Sequence, residues 1–189
     1  MNESLEALRL LITVFERLGI SYRVGGSLAS SVHGIARATV DADLIANIEQ
    51  KHVLAFSQAL KGSYYVDEQM IADALKVGQS FNLIHLDTYI KIDIFPLNKR
   101  KYDQFSFERF FVTEATNFIT AEDSILRKLE WFRLSDGSER QWRDVQGILK
   151  IQKINLDFDY LNHWATDLGL ADLLEKAIAE AKTLTNKEK

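Results

Sequence analysis

Two pairs of residues near the start of the chain have the types and spacing that phosphate chemistry needs. Residues 24–45, VGGSLASSVHGIARATVDADLI, carry Gly25 and Gly26 upstream of Asp41 and Asp43. Glycines that lead from a strand into a helix let the backbone approach a phosphate closely, and the helix start offers unpaired N–H groups. Carboxylates at i and i+2 of a strand share one face, about 7 Å apart. We therefore expect the glycine turn to hold phosphates and the aspartates to hold metal ions.

A third carboxylate lies on a later strand. Residues 90–94, IKIDI, alternate isoleucines with Lys91 and Asp93, so these two side chains face away from the buried stripe. If the two strands are neighbours, Asp93 converges on Asp41 and Asp43. Carboxylates 4 Å apart repel by about 4 kcal/mol at an effective dielectric near 20, and a divalent cation reverses the sign. Hard oxygen donors suit Mg²⁺ or Mn²⁺.

Composition excludes several other kinds of protein. The 189 residues include no cysteine, which excludes disulfides, thiolate zinc sites and a cysteine nucleophile. The net charge of −4 is unlike that of a general nucleic-acid or membrane binder. Neither a secretion signal nor an apolar run of about 18 residues is present. We expect a cytoplasmic protein with no membrane partner.

Hydrophobic periodicity predicts an α/β half at 1–115 and an all-helical half at 116–189. Short strands are predicted at 22–24, 40–46, 81–86, 89–95 and 109–113. Helices are predicted at 5–18, 27–33, 50–60, 67–76, about 121–134, 141–151, 158–168 and 170–184. The glycine turn is neither a G-x-x-x-x-G-K-[ST] loop nor a G-x-G-x-x-G fingerprint.

This combination resembles the nucleotidyltransferase superfamily, which has the DNA polymerase β-like fold. The matching segments are Val24-Gly25-Gly26-Ser27, Asp41-Ala42-Asp43 and Ile92-Asp93-Ile94. Within the superfamily, RATVDADL, AEDSILRKLEWFR and RQWRDVQGIL are similar to motifs of AbiEii-type nucleotidyltransferase toxins. The resemblance implies an α+β fold, in which a small mixed sheet backed by helices is followed by a C-terminal all-helical domain.

The resemblance also implies roles for the site residues. Asp41 and Asp43 would bind two Mg²⁺ or Mn²⁺ ions, and Asp93 one of them. Ser27 and the Gly26 backbone would hold the β- and γ-phosphates of a nucleoside triphosphate such as ATP. Asp93 would help to deprotonate the acceptor hydroxyl.

Three more residues have two interpretations each. Lys128 matches the helix lysine of the family and either reaches the triphosphate or is a solvated lysine. Arg37 either contacts phosphate or anchors the loop before the strand. Asp144 is expected to pair with a neighbouring Arg or Lys rather than to bind metal.

The acceptor follows from family analogy and from charge. Residues 127–153 hold seven Lys or Arg against four Asp or Glu, a balance that suits a triphosphate or RNA. The expected activity is transfer of a nucleoside monophosphate to RNA in a toxin–antitoxin or defence system, with a cognate toxin or antitoxin as partner. The alternatives are a transferase for small antibiotic-type molecules and a non-catalytic nucleotide-binding or antitoxin module. Three aspartates favour an enzyme, because a binder needs no third carboxylate.

Overall fold

The computed structural model describes residues 3–37, 39 and 41–187. The chain divides into two compact units, the first formed by residues 1–28 and 38–118 and the second by residues 29–37 and 119–189. The domain limits 1–115 and 116–189 remain a prediction.

The first unit contains a seven-stranded mixed sheet. Its strands are β1 (Tyr22–Val24), β2 (Asp41–Ala46), β3 (Tyr64–Tyr65), β4 (Phe81–His85), β5 (Lys91–Pro96), β6 (Phe111–Thr113) and β7 (Thr116–Phe118). The spatial order is β3-β4-β5-β2-β1-β7-β6. The pairs β2–β5 and β1–β7 are parallel and the other four are antiparallel. The predicted α+β class with a mixed sheet backed by helices is confirmed.

Helices of the first unit pack their apolar stripes against the sheet. They are α1 (Glu3–Arg17), the start of α2 (Gly26–His33), α3 (Val53–Leu60), α4 (Glu68–Val77) and α5 (Lys101–Glu108), with a 3-10 turn at Gln50–His52 before α3. Phe15 of α1 stacks on Phe56 of α3, with ring centroids 5.4 Å apart. Alternate strand residues are fully buried, namely Ala42 and Leu44 on β2 and Ile92 and Ile94 on β5. This burial fixes the opposite face of both strands as the polar one.

The second unit is helical. It contains the rest of α2, then α6 (Ala121–Leu134), α7 (Glu139–Gln152), α8 (Phe158–Asp167) and α9 (Ala171–Lys187). The core side chains come from all four of these later helices: Ile125, Leu129, Val145, Ile148, Leu161, Trp164, Leu174 and Ala177. No helix within the described ranges is both long and apolar enough to span a bilayer.

Candidate functional site

The central parallel pair of strands brings two of the predicted aspartates side by side. Asp43 on β2 is in register with Asp93 on β5, and Asp41 is in register with Lys91. All four residues lie on the polar face, because the intervening Ala42 and Ile92 are buried. Adjacent parallel strands therefore place Asp43 and Asp93 side by side, with Asp41 on the same face, and the convergence of all three aspartates on one ion stays a prediction.

The glycine turn lies against this carboxylate row. Gly25 N–H donates to the backbone oxygen of Asp43 at 2.8 Å. Gly26 begins α2 with φ +56°, and a Cβ built on it would lie 1.7 Å from Asp43 Oδ2. The Asp43 carboxylate thus occupies space that any other residue at position 26 would fill. Only glycine combines this backbone angle with this close approach.

Ser27 is buried and connects the turn to the start of β2. Its hydroxyl lies 2.6 Å from Thr39 Oγ1, and the Thr39 hydroxyl donates to the backbone oxygen of Asp41 at 3.0 Å. Sequence reasoning gave Thr39 no role, although it belongs to the RATVDADL motif. The assignment of Ser27 to the phosphates stays a prediction.

A lysine supplies positive charge to the aspartate face, which is the side of β2 and β5 that carries Asp41, Asp43 and Asp93. Lys91 Nζ lies 2.7 Å from Asp93 Oδ2, and the two side chains are 46% and 23% exposed. The hydrogen bond to Asp93 raises the pKa of Lys91 above its usual value, against a lowering by burial, and the charges of Asp93, Asp41 and Asp43 add to the rise. The strand alternation placed Lys91 beside Asp93, but sequence reasoning gave it no function.

The aspartate face offers donors of the chemistry that a divalent ion prefers. Its donors are hard carboxylate oxygens, Asp43 and Asp93 are in register, and Gly26 leaves room for one carboxylate. Within residues 3–37, 39 and 41–187, no three His, Cys, Asp or Glu side chains are gathered closely enough to hold a metal ion. In the arrangement present, the Lys91 ammonium is the cation that contacts Asp93.

A neutral side chain lies next to Asp93 on the same face of the sheet. Asn82 on β4 is in register with Asp93, and Leu83 after it is buried, so Asn82 shares the polar face. Asn82 is exposed. Sequence reasoning missed this residue, because the position of an asparagine in a strand carries no signal until the neighbouring strand is known.

Arg37 and Lys128, predicted to bind nucleotide, belong to the second unit and both contact Asp144. Arg37 Nε and Nη2 each donate to one Asp144 oxygen at 3.0 Å. Lys128 Nζ lies 2.7 Å from Asp144 Oδ2 and 3.0 Å from Gln141 Oε1. The expected pairing of Asp144 with basic neighbours is confirmed, and Lys128 is buried rather than solvated. Nucleotide binding by Arg37 and Lys128 stays a prediction.

Asp144→Asn is expected to destabilise the protein by about 3 kcal/mol, because it leaves two cations around a neutral amide. Burial raises the pKa of Asp144, but the bonds to Arg37 and Lys128 outweigh it and hold the pKa below its usual value. The stabilisation is therefore complete above the unfolded pKa of about 3.9 and is lost as pH falls through the lower folded value.

Urea unfolding from pH 7 to pH 3 measures this effect. The gap between wild type and Asp144→Asn should be constant at neutral pH and should shrink below about pH 4. Asp73→Asn is the control, because Asp73 forms an exposed pair with Lys76. A gap that does not change with pH would contradict the ionic assignment.

The predicted basic surface at 127–153 is smaller than its composition indicates. Lys128 is buried against Asp144. Arg133 donates to the backbone oxygens of Leu168 and Gly169 at the end of α8. Arg140 and Arg143 are exposed on α7. Part of the positive charge therefore stabilises the helical unit itself.

Two solved structures share this fold. The antibiotic-resistance factor ANT(2'')-Ia matches with a TM-score of 0.53 at 11% identity, covering 99% of this chain and 100% of its own. The lincosamide antibiotic adenylyltransferase LnuA, with lincomycin bound, matches with a TM-score of 0.50 at 18% identity, covering 77% of this chain and 96% of its own. No family profile and no curated protein matches the sequence. The likeness supports the nucleotidyltransferase fold, and the AbiEii-type resemblance stays a prediction.

Proposed function

We propose that the protein transfers a nucleoside monophosphate from a nucleoside triphosphate to a hydroxyl group of a small molecule. The observation that carries the proposal is the row of Gly26, Asp43 and Asp93 on adjacent elements. Two solved structures with this fold, an antibiotic-resistance factor and a lincosamide adenylyltransferase, support the reaction class and favour a small acceptor.

The aspartates and the glycine turn would bind different parts of the substrate complex. Asp41, Asp43 and Asp93 would hold two Mg²⁺ or Mn²⁺ ions, which would neutralise phosphate charge and align the α-phosphate with the acceptor. The Gly26 turn and Ser27 would bind the β- and γ-phosphates at the start of α2.

The bond changes are those of a phosphoryl displacement. The acceptor oxygen forms a bond to the α-phosphorus, and the bond from that phosphorus to the β-bridging oxygen breaks. Pyrophosphate leaves, and Asp93 accepts the acceptor proton.

RNA as acceptor remains an alternative hypothesis, together with the toxin–antitoxin setting, its partner protein and the cytoplasmic location. The exposed Arg140 and Arg143 suit a phosphate backbone. The two similar structures favour the small acceptor over RNA, because one is an antibiotic-resistance factor and the other contains lincomycin.

The direct test incubates the protein with each α-labelled nucleoside triphosphate, Mg²⁺ and one acceptor at a time. The acceptors are an aminoglycoside, a lincosamide and total RNA. We expect label on a small acceptor with stoichiometric pyrophosphate, and none with EDTA. Label on RNA alone would replace the small-molecule proposal with the RNA alternative, and no label on any acceptor would contradict nucleotidyl transfer to these classes.

A further inference from the structure

We propose that Lys91 is a built-in counter-ion of the aspartate face, and that it makes metal binding depend on bound nucleotide. The inference rests on the proposed function, because it concerns the same three aspartates. It adds a positioning residue that acts through Asp93 and a coupling between metal binding and nucleotide binding.

The position of Lys91 follows from the strand register. It lies two residues before Asp93 on β5 and directly beside Asp41 on β2, so it shares the polar face with all three aspartates. Its ammonium contacts Asp93 Oδ2 at 2.7 Å and interacts electrostatically with Asp41 and Asp43 as well. One lysine thus offsets part of the repulsion among three carboxylates.

Another ion pair of the same length shows what is specific to Lys91. Lys76 Nζ and Asp73 Oδ1 are also 2.7 Å apart, but those side chains are 60% and 58% exposed and belong to residues three positions apart on α4. Exposed pairs of this kind contribute little. The partner of Lys91 is only 23% exposed and lies beside a second carboxylate in register, Asp43. Lys91 therefore faces a concentration of negative charge that Lys76 does not.

A metal ion held by Asp93 would compete with the Lys91 ammonium for the Asp93 carboxylate. A metal ion that bound alone would have to displace Lys91 and would then be repelled by its positive charge. A nucleoside triphosphate that arrives with the metal brings several phosphate charges, which give the displaced ammonium a new partner. Bound nucleotide thereby removes the cost of displacing Lys91, and linkage requires the metal to tighten nucleotide binding equally.

The test compares wild type with Lys91→Met, Lys91→Gln, Lys91→Arg and the matched control Lys76→Met. Free Mn²⁺ is followed by electron paramagnetic resonance, with Mn²⁺ alone and with a non-hydrolysable ATP analogue whose own Mn²⁺ binding is subtracted. Melting temperatures are measured without metal.

We expect both neutral variants at position 91 to bind Mn²⁺ alone about fivefold more tightly than wild type, and to gain less from the analogue. They should also melt at a lower temperature without metal. Lys91→Arg should keep the wild-type pattern, and Lys76→Met should match wild type throughout. Lys91→Gln carries the test if Lys91→Met does not fold.

Equal Mn²⁺ affinity in wild type and the neutral variants would overturn the counter-ion role. If wild type then still transfers label to an acceptor, the proposed function survives and this inference alone fails. If Mn²⁺ binds to none of the proteins, with or without the analogue, both the inference and the proposed metal site fail.

Discussion

Gly26→Ala should lower the rate of nucleotidyl transfer about a hundredfold or more, because displacing a reacting group by about 1 Å has an effect of that size. The new methyl group would lie 1.7 Å from Asp43 Oδ2 and 2.6 Å from its Cγ. Both atoms belong to the side chain proposed to hold metal, so Asp43 must leave its position. The measurement is the initial rate of label transfer at saturating nucleotide and Mg²⁺.

Gly19→Ala is the matched control for this change. Gly19 has φ +66°, close to the +56° of Gly26, but a Cβ there meets nothing within 4 Å. Both variants should lose about 1 kcal/mol of stability from the left-handed backbone. Only Gly26→Ala should lose activity as well. Equal activity in the two variants would show that the close approach of Asp43 to the turn is irrelevant to catalysis.

Asp93→Ala should lower transfer by about a thousandfold while part of the nucleotide binding survives. The change removes a metal ligand and the acceptor base, but it leaves Ser27 and the glycine turn. The fall should appear in kcat, with a smaller change in the dissociation constant of the nucleotide. Single-turnover transfer and equilibrium binding, measured on the same preparation, separate the two.

Asp73→Ala controls for the loss of an ion-paired aspartate, because Asp73 pairs with Lys76 on the surface. It should behave as wild type. Equal transfer by wild type and Asp93→Ala would remove Asp93 from the mechanism. A wild-type protein that binds nucleotide but transfers nothing to any acceptor would favour the alternative of a non-catalytic nucleotide-binding module.

The polar face of the site could be predicted from the sequence because strand alternation is a local property. The isoleucines of 90–94 and the apolar residues that alternate with Asp41 and Asp43 identify which side chains point away from the core. The adjacency of β2 and β5 is not a local property, because residues 47–90 separate the two strands. The sequence-based prediction assumed this adjacency, and the structure shows it as a parallel pair of strands.

Contacts set by distant residues were missed. Lys128 was interpreted as either solvated or bound to a triphosphate, and the structure buries it beside Asp144. Local sequence carries no signal for such pairings, because their partners come from other elements of the fold.

The parallel pairing of β2 with β5 also sets the order of events during synthesis. Parallel strands need a long crossover between them, and this one is residues 47–90. A nascent chain that ends before residue 91 already carries the glycine turn and the first two aspartates, but not the strand that bears Asp93. Pairing across that distance is a slow, non-local step of folding. The chain therefore gains its third carboxylate and its lysine counter-charge together, when β5 docks beside β2.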